Sequence, residues 1–234
     1  MNVRQAHIRT AATLDAGRII ARLIVPLALG LTLWAQPAFP DAPRSRGEAL
    51  AGLSSPDSAA RAEAIAWIAN RGGMADTPLL LKRLRDESPF VRGFAEQGLW
   101  RLWSRSGDPS IDALMARGAE EMQAVRLTAA IRTYSEVIGR KPAFAEGWNR
   151  RATAYYLAEE FDKSIADCRQ VLKRNRAHFG ALSGLGQIYA ALERYEDALD
   201  WFRRALVVNP NMAGVEANIR EIEERLEARR RRSI

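Results

Sequence analysis

Few residues in this chain could do covalent or metal chemistry. Of 234 residues, one is a cysteine, Cys168, and two are histidines, His7 and His178. A single thiol excludes an intramolecular disulfide and any multi-thiolate zinc site. His178 has no recognisable partner motif near it, so a triad, a redox pair or a His-rich metal site is not expected, and no cofactor is expected either. The acidic pairs Glu120–Glu121 and Glu159–Glu160 could in principle do acid–base work, but solvated turns and helix faces explain them as well. Trp67, Trp100, Trp103, Trp148 and Trp201 could build an aromatic platform, yet at helical spacing they read as core. These residues describe a chain that is not an enzyme.

The elements that must position them are helical. Ala, Leu, Arg and Glu dominate, and ten Pro and sixteen Gly punctuate the chain without any Val/Ile/Thr-rich alternation. The formal charge is +7, with three of those charges in the first 38 residues and four in Arg229, Arg230, Arg231 and Arg232. The body between is neutral, so a basic face for nucleic acid is absent and no nucleic-acid partner is expected. The four terminal arginines fit a helix end, where cations favour the dipole. They could also meet an anionic membrane or an acidic partner.

The first 38 residues read as a signal peptide. Arg4, Arg9, Arg18 and Arg22 precede thirteen uncharged residues, 23–35, and "QPAFPDAP" then breaks the run. Cleavage is expected after Ala35 or Ala38, which places the protein outside the cytoplasm, in the periplasm. The alternatives are an uncleaved membrane anchor and a disordered cytoplasmic arm; a spanning helix needs about 20 apolar residues, more than this run supplies. Residues 39–47 read as a linker.

Two internal registers organise the rest. A shift of 34 residues places Leu182, Gly186, Tyr189, Ala198, Phe202 and Pro210 on Trp148, Ala152, Tyr155, Ser164, Cys168 and Arg176, and then on Leu114, Gly118, Glu121, Ala130, Tyr134 and Pro142. The chain over 111–212 thereby resembles the tetratricopeptide repeat (TPR) family, whose pattern is W-x2-L-G-x2-Y, A-x3-F and P. Units at 111–144, 145–178 and 179–212 are expected, closed by a capping helix in 213–234 with Val215, Ile219, Ile222 and Leu226 on one stripe. Upstream, a shift of 31 residues pairs Leu53 with Leu84, Arg61 with Arg92, Ala64 with Ala95 and Ile68 with Leu99, so 48–107 resembles short HEAT-like repeats. Ser88 reads as an N-cap and Pro89 as a first helical residue. "SGDPS" at 106–110 reads as a junction through which the stack continues. The expected fold is all-α: a right-handed α-solenoid of helix–turn–helix repeats, HEAT-like then TPR.

The resemblance implies a function. TPR proteins are chiefly scaffolds and peptide-binding adaptors, and the first helix of each unit lines a concave groove. The positions that resemblance assigns to the groove hold Met115, Ala119, Met122, Asn149, Arg150, Thr153, Tyr156, Ser183 and Gln187. Amides, thioethers and one cation suit a peptide backbone. Some TPR domains clamp a C-terminal carboxylate with Lys, Asn and Arg; Met115 and Ala119 break that set here. Cys168 stands where Tyr134 and Phe202 stand in the sister units, so it is expected in the core. The expected function is an exported, non-catalytic adaptor for protein or peptide segments. The alternatives are an accessory subunit of an envelope enzyme or assembly, and a membrane-anchored TPR co-chaperone.

Overall fold

The computed structural model describes residues 43–232. The signal peptide, residues 39–42 of the linker and the last two residues lie outside the described residues, while Arg46 and Gly47 of the expected linker belong to the first helix. Eleven α-helices follow one another: α1 (Arg46–Gly52), α2 (Ser58–Arg71), α3 (Thr77–Arg83), α4 (Pro89–Ser104), α5 (Pro109–Gln123), α6 (Leu127–Arg140), α7 (Ala145–Leu157), α8 (Phe161–Arg174), α9 (Phe179–Ala191), α10 (Tyr195–Val208) and α11 (Ala213–Arg232). No strand occurs among the described residues.

Local chemistry starts the helices. The Asp57 carboxylate accepts from the amides of Ala59 and Ala60 ahead of α2, and Asp108 accepts from Ser110 ahead of α5. Pro89 and Pro109 open α4 and α5, where a missing N–H costs nothing. Ser88 holds the N-cap position of α4 without a side-chain cap bond; its own amide donates to Asp86 instead.

The 34-residue register is visible in the backbone. Val125, Glu159 and Glu193 have φ of 56°, 58° and 54°, one per unit at the same place. Each follows the first helix of its unit and turns the chain through the left-handed region. The next amide in each case reaches back five residues, Arg126 to Glu121, Glu160 to Tyr155 and Arg194 to Tyr189, and ties off the helix end. Between units, Asn175 and Asn209 side chains accept from the amides two residues on.

Small residues let the helices of a unit meet. A Cβ at Gly118 would stand 2.5 Å from the Tyr134 ring, and one at Gly186 would clash with Phe202. The middle unit holds Ala152 and Cys168 at these places, a larger small residue against a smaller large one. Cys168 is buried as expected, and burial pushes its thiol up to about 12.

The 31-residue register also reappears. Arg61 Nη1 donates to the carbonyls of Ser55 and Pro56, and Arg92 Nη1 to those of Asp86 and Glu87, the same bonds one register later. Arg61 additionally forks onto Asp86 at 2.8 and 3.0 Å, which joins the two pairs. The upstream helices do not, however, continue the stack end to end. Their core takes in Phe179, Val208 and Met212, which belong to the last unit and its exit. Lys141 Nζ donates to Ser106 O, Asn211 Nδ2 to Leu84 O, and Arg85 to Val207 and Val208 carbonyls. The first four helices therefore fold back along the three turns that separate the units and the cap (141–144, 175–178 and 209–212). Gly107, with φ of 75°, lies at the reversal. Across this fold-back the rings of Trp100 and Trp103 pack on His178 and Phe179, which removes their apolar surface from water.

Candidate functional site

The first helices of the units, α5, α7 and α9, carry the residues that the sequence assigns to the groove. Asn149, Thr153 and Tyr156 share one face of α7 at helical spacing, and the Thr153 hydroxyl donates to Asn149 O at 3.1 Å. Tyr156 is half-buried against Phe161, and burial holds its phenol above the usual range. Gln187 is half-buried on α9. Ser183 is buried and donates to Gly180 O. Met115 and Met122 lie on α5 beside Ala154 of α7, partly covered.

Asn149 and Arg150 are not loose on this face. Asn149 is 6% exposed, and its Nδ2 donates to Glu146 Oε2 at 3.1 Å. Arg150 Nε donates to Glu146 Oε1 at 2.7 Å, and its side chain is 26% exposed. The charge expected to attract an acidic partner is thus closed on a carboxylate one helical turn away.

Glu146 is the residue that sequence reading passed over. It sits at the second position of the middle unit, itself one of the groove positions, so the register could have found it. Its side chain is fully buried and receives three donors: Asn149, Arg150 and His178 Nε2 at 3.2 Å. Burial pushes its carboxyl up, but Arg150 and His178 outweigh that and hold it below the usual carboxylate range. His178 Nδ1 accepts from the amide of Ala181 and caps α9, so Nε2 carries the proton that faces Glu146. The imidazole stacks on Trp103, with centroids 4.7 Å apart, and meets the edge of Trp100. His178 is therefore a joint between the upstream helices and the repeats.

The remaining candidates have structural partners as well. Glu121 is not solvated as expected: it is buried, accepts from Thr133 Oγ1 at 2.6 Å and from Arg117, and those bonds hold its carboxyl low. Trp103 is buried, while Trp67, Trp100 and Trp201 are partly so. The guanidinium groups of Arg151 and Arg174 each lie over the Trp148 ring. Arg229 bonds Glu193 and Arg231 bonds Glu227. Among the described residues, no group of three or more His, Cys, Asp or Glu is arranged to hold a metal ion, and no helix is long and apolar enough to cross a membrane.

Two family models, both described as tetratricopeptide repeat, match residues 115–174 and 180–212. A TPR repeat-containing protein of Rhizobium etli is 31% identical over 150 residues, which is 64% of this chain and 72% of that protein. The Hsp70/Hsp90 co-chaperone cns1 of Schizosaccharomyces pombe is 30% identical over 78 residues, 33% of this chain and 22% of that protein. Among solved structures, the Sgt2 TPR domain from Aspergillus fumigatus superposes with a TM-score of 0.50 at 20% identity, covering 53% of this chain and 83% of that one, and shares the fold. With the helices and left-handed turns of 111–212 in one 34-residue register and a TPR repeat-containing relative 31% identical, the chain belongs to the tetratricopeptide repeat family.

Proposed function

We propose that this protein is a non-catalytic adaptor that holds a segment of another protein along the first helices of its repeats. One observation carries the reading. The groups able to do chemistry, Cys168, His178 and Glu146, are buried and committed to packing or to one another. Met115, Met122, Thr153, Tyr156 and Gln187 on the first helices are instead partly exposed and uncharged, and the neighbouring Arg150 is closed on Glu146. Such a face offers hydrogen bonds and adaptable contacts without a reactive centre. The basic start and the apolar run 23–35 support a place of work outside the cytoplasm.

Affinity capture from the native host tests this, with the wild-type chain beside Thr153→Arg/Gln187→Arg. Loss of the co-purified partner from the double variant, at an unchanged melting temperature, supports inner-face binding. Retention of the partner by that variant, with its loss on deletion of 229–232, assigns binding to the basic tail instead. A full-length chain in the soluble cytoplasmic fraction would remove the export part of the reading.

A further inference from the structure

The second position of each repeat is engaged by the protein itself. These positions are Asp112, Glu146 and Gly180, 34 residues apart on α5, α7 and α9. Asp112 Oδ1 accepts from the Ser106 amide at 3.1 Å and from the Ser106 hydroxyl at 2.5 Å, in the junction that follows α4. Glu146 is met by His178, which stacks on the Trp103 ring. Gly180 lies against Trp100: a Cβ at this position would run into the outer edge of that indole. One row of the inner face is thus engaged in every unit, from the side of the upstream helices.

Gly180 carries the argument. It is the second residue of a 13-residue helix, and its φ lies outside the left-handed region. The backbone there does not require glycine, which is among the least favourable helix residues. What the missing side chain permits is the close approach of Trp100. Trp100 in turn meets His178 and Phe179 edge-on, with centroids 5.4 and 5.1 Å apart, and stays half-buried. At the fifth position the last two units are closed as well, since Asn149 and Ser183 are buried. The face stays open further along the first helices, where Ala119, Met122, Thr153, Tyr156 and Gln187 are partly exposed.

We propose that Trp100 is a specificity-determining residue of the repeats. It occupies the place over Gly180 where a partner side chain would lie, and it confines a bound segment to the open half of the first helices. The inference rests on the reading of those helices as a protein-binding face. Charge sets the chemistry of the segment. The engaged row holds carboxylates in two units, and Arg150, the one cation that the register assigns to the face, is closed on Glu146. A chain-terminal carboxylate finds no free counter-charge there. Met122 and Tyr156 offer adaptable apolar contact, and the Gln187 amide offers hydrogen bonds. The open half fits an internal, uncharged stretch of a partner chain.

The test uses random peptides of about 12 residues, up to roughly 40 Å when extended, displayed with a free C-terminus. They are selected on the purified full chain and on two variants whose helicity is checked by circular dichroism. Trp100→Ala deletes the ring; Gly180→Ala displaces it, introduces a better helix former, and decides alone if Trp100→Ala does not fold. Affinities of the selected peptides are measured by fluorescence anisotropy. Peptides selected on the wild type should bind equally with a free or an amidated C-terminus and weaken about tenfold or more with Thr153→Arg. Peptides selected on either variant should carry an additional aromatic residue and bind that variant about tenfold or more tighter than the wild type. A gain of this kind reports a vacated place and not a loosened fold. Peptides that bind wild type and variants alike overturn the proposal, as does wild-type binding that needs a free terminal carboxylate. If Thr153→Arg still abolishes binding in those cases, the inner face binds a partner without Trp100 setting its choice. If no peptide is selected, or none responds to Thr153→Arg, the protein-binding face fails and the inference with it.

Discussion

His178 donates from Nε2 to Glu146 Oε2 across 3.2 Å, and neither side chain has any exposure. Thirty-two positions apart in sequence, they pin the start of one repeat to the start of the next, under Trp103 of the upstream helices. Glu146→Ala leaves Arg150 without its buried counter-charge and His178 without an acceptor. Loss of one partner of a buried pair costs about 3–5 kcal/mol. Chemical denaturation should show a drop of that size, and reversion of the melting temperature toward wild type on adding Arg150→Met would mark the cost as unpaired charge.

Glu146 and three carboxylates elsewhere in the fold set the response to acid. Hydrogen bonding to Arg46 holds Asp76 low; burial pushes Asp86 up, but its bonds to Arg61 outweigh that; Thr133 and Arg117 hold Glu121 low; Glu146 is low for the reasons given above. A carboxyl whose folded value lies below its unfolded value adds stability above the unfolded value, about pH 4, and loses it as pH falls through the folded one. Stability should therefore be level from neutrality to about pH 5 and fall steeply below about pH 4. Glu146→Gln should flatten that fall. An unchanged acid limb would show that Glu146 is not ionised in the folded protein.

Much of the fold was legible in the sequence because the repeat writes the same packing problem three times. Gly118, Tyr134, Gly186 and Phe202 stand out in the 34-residue register, and the structure shows that they meet as Gly118 against Tyr134 and Gly186 against Phe202. Ala152 with Cys168 reads as a weak copy until the structure shows a volume exchange at the same place. The fold-back of α1–α4 was not legible, since a junction such as 106–110 specifies a turn but not which surface Trp100 and Trp103 will meet. For the same reason Asn149 and Arg150 read as groove residues: their face is given by the register, whereas the carboxylate that holds them, one turn away, was passed over.

The volume exchange makes a double-mutant prediction. Cys168→Phe alone should over-pack against Ala152 and destabilise by about 1–3 kcal/mol. Ala152→Gly alone should cost about 1 kcal/mol through helix propensity and a lost methyl. Together they recreate the pairing of the third unit, so the double variant should be more stable than the two losses predict. Additive losses in urea titrations would mean that the two sites do not share one space.

Val125 supplies a stability prediction of opposite sign. A non-glycine residue in the left-handed region costs about 1–2 kcal/mol, partly offset by the greater freedom of glycine in the unfolded chain. Val125→Gly should stabilise by about 1 kcal/mol, and Glu159→Gly or Glu193→Gly by no more than that. A loss of stability at 125 would contradict the strained conformation.

Site-specific photocrosslinking in the native host tests most directly whether the repeats hold a partner along their first helices. A benzophenone side chain is placed at Gln187 or Thr153 on the first helices, and at Lys173, which is exposed on α8. One shared partner should crosslink from 187 and 153 and none from 173. A partner crosslinked from 173 but from neither 187 nor 153 would contradict it.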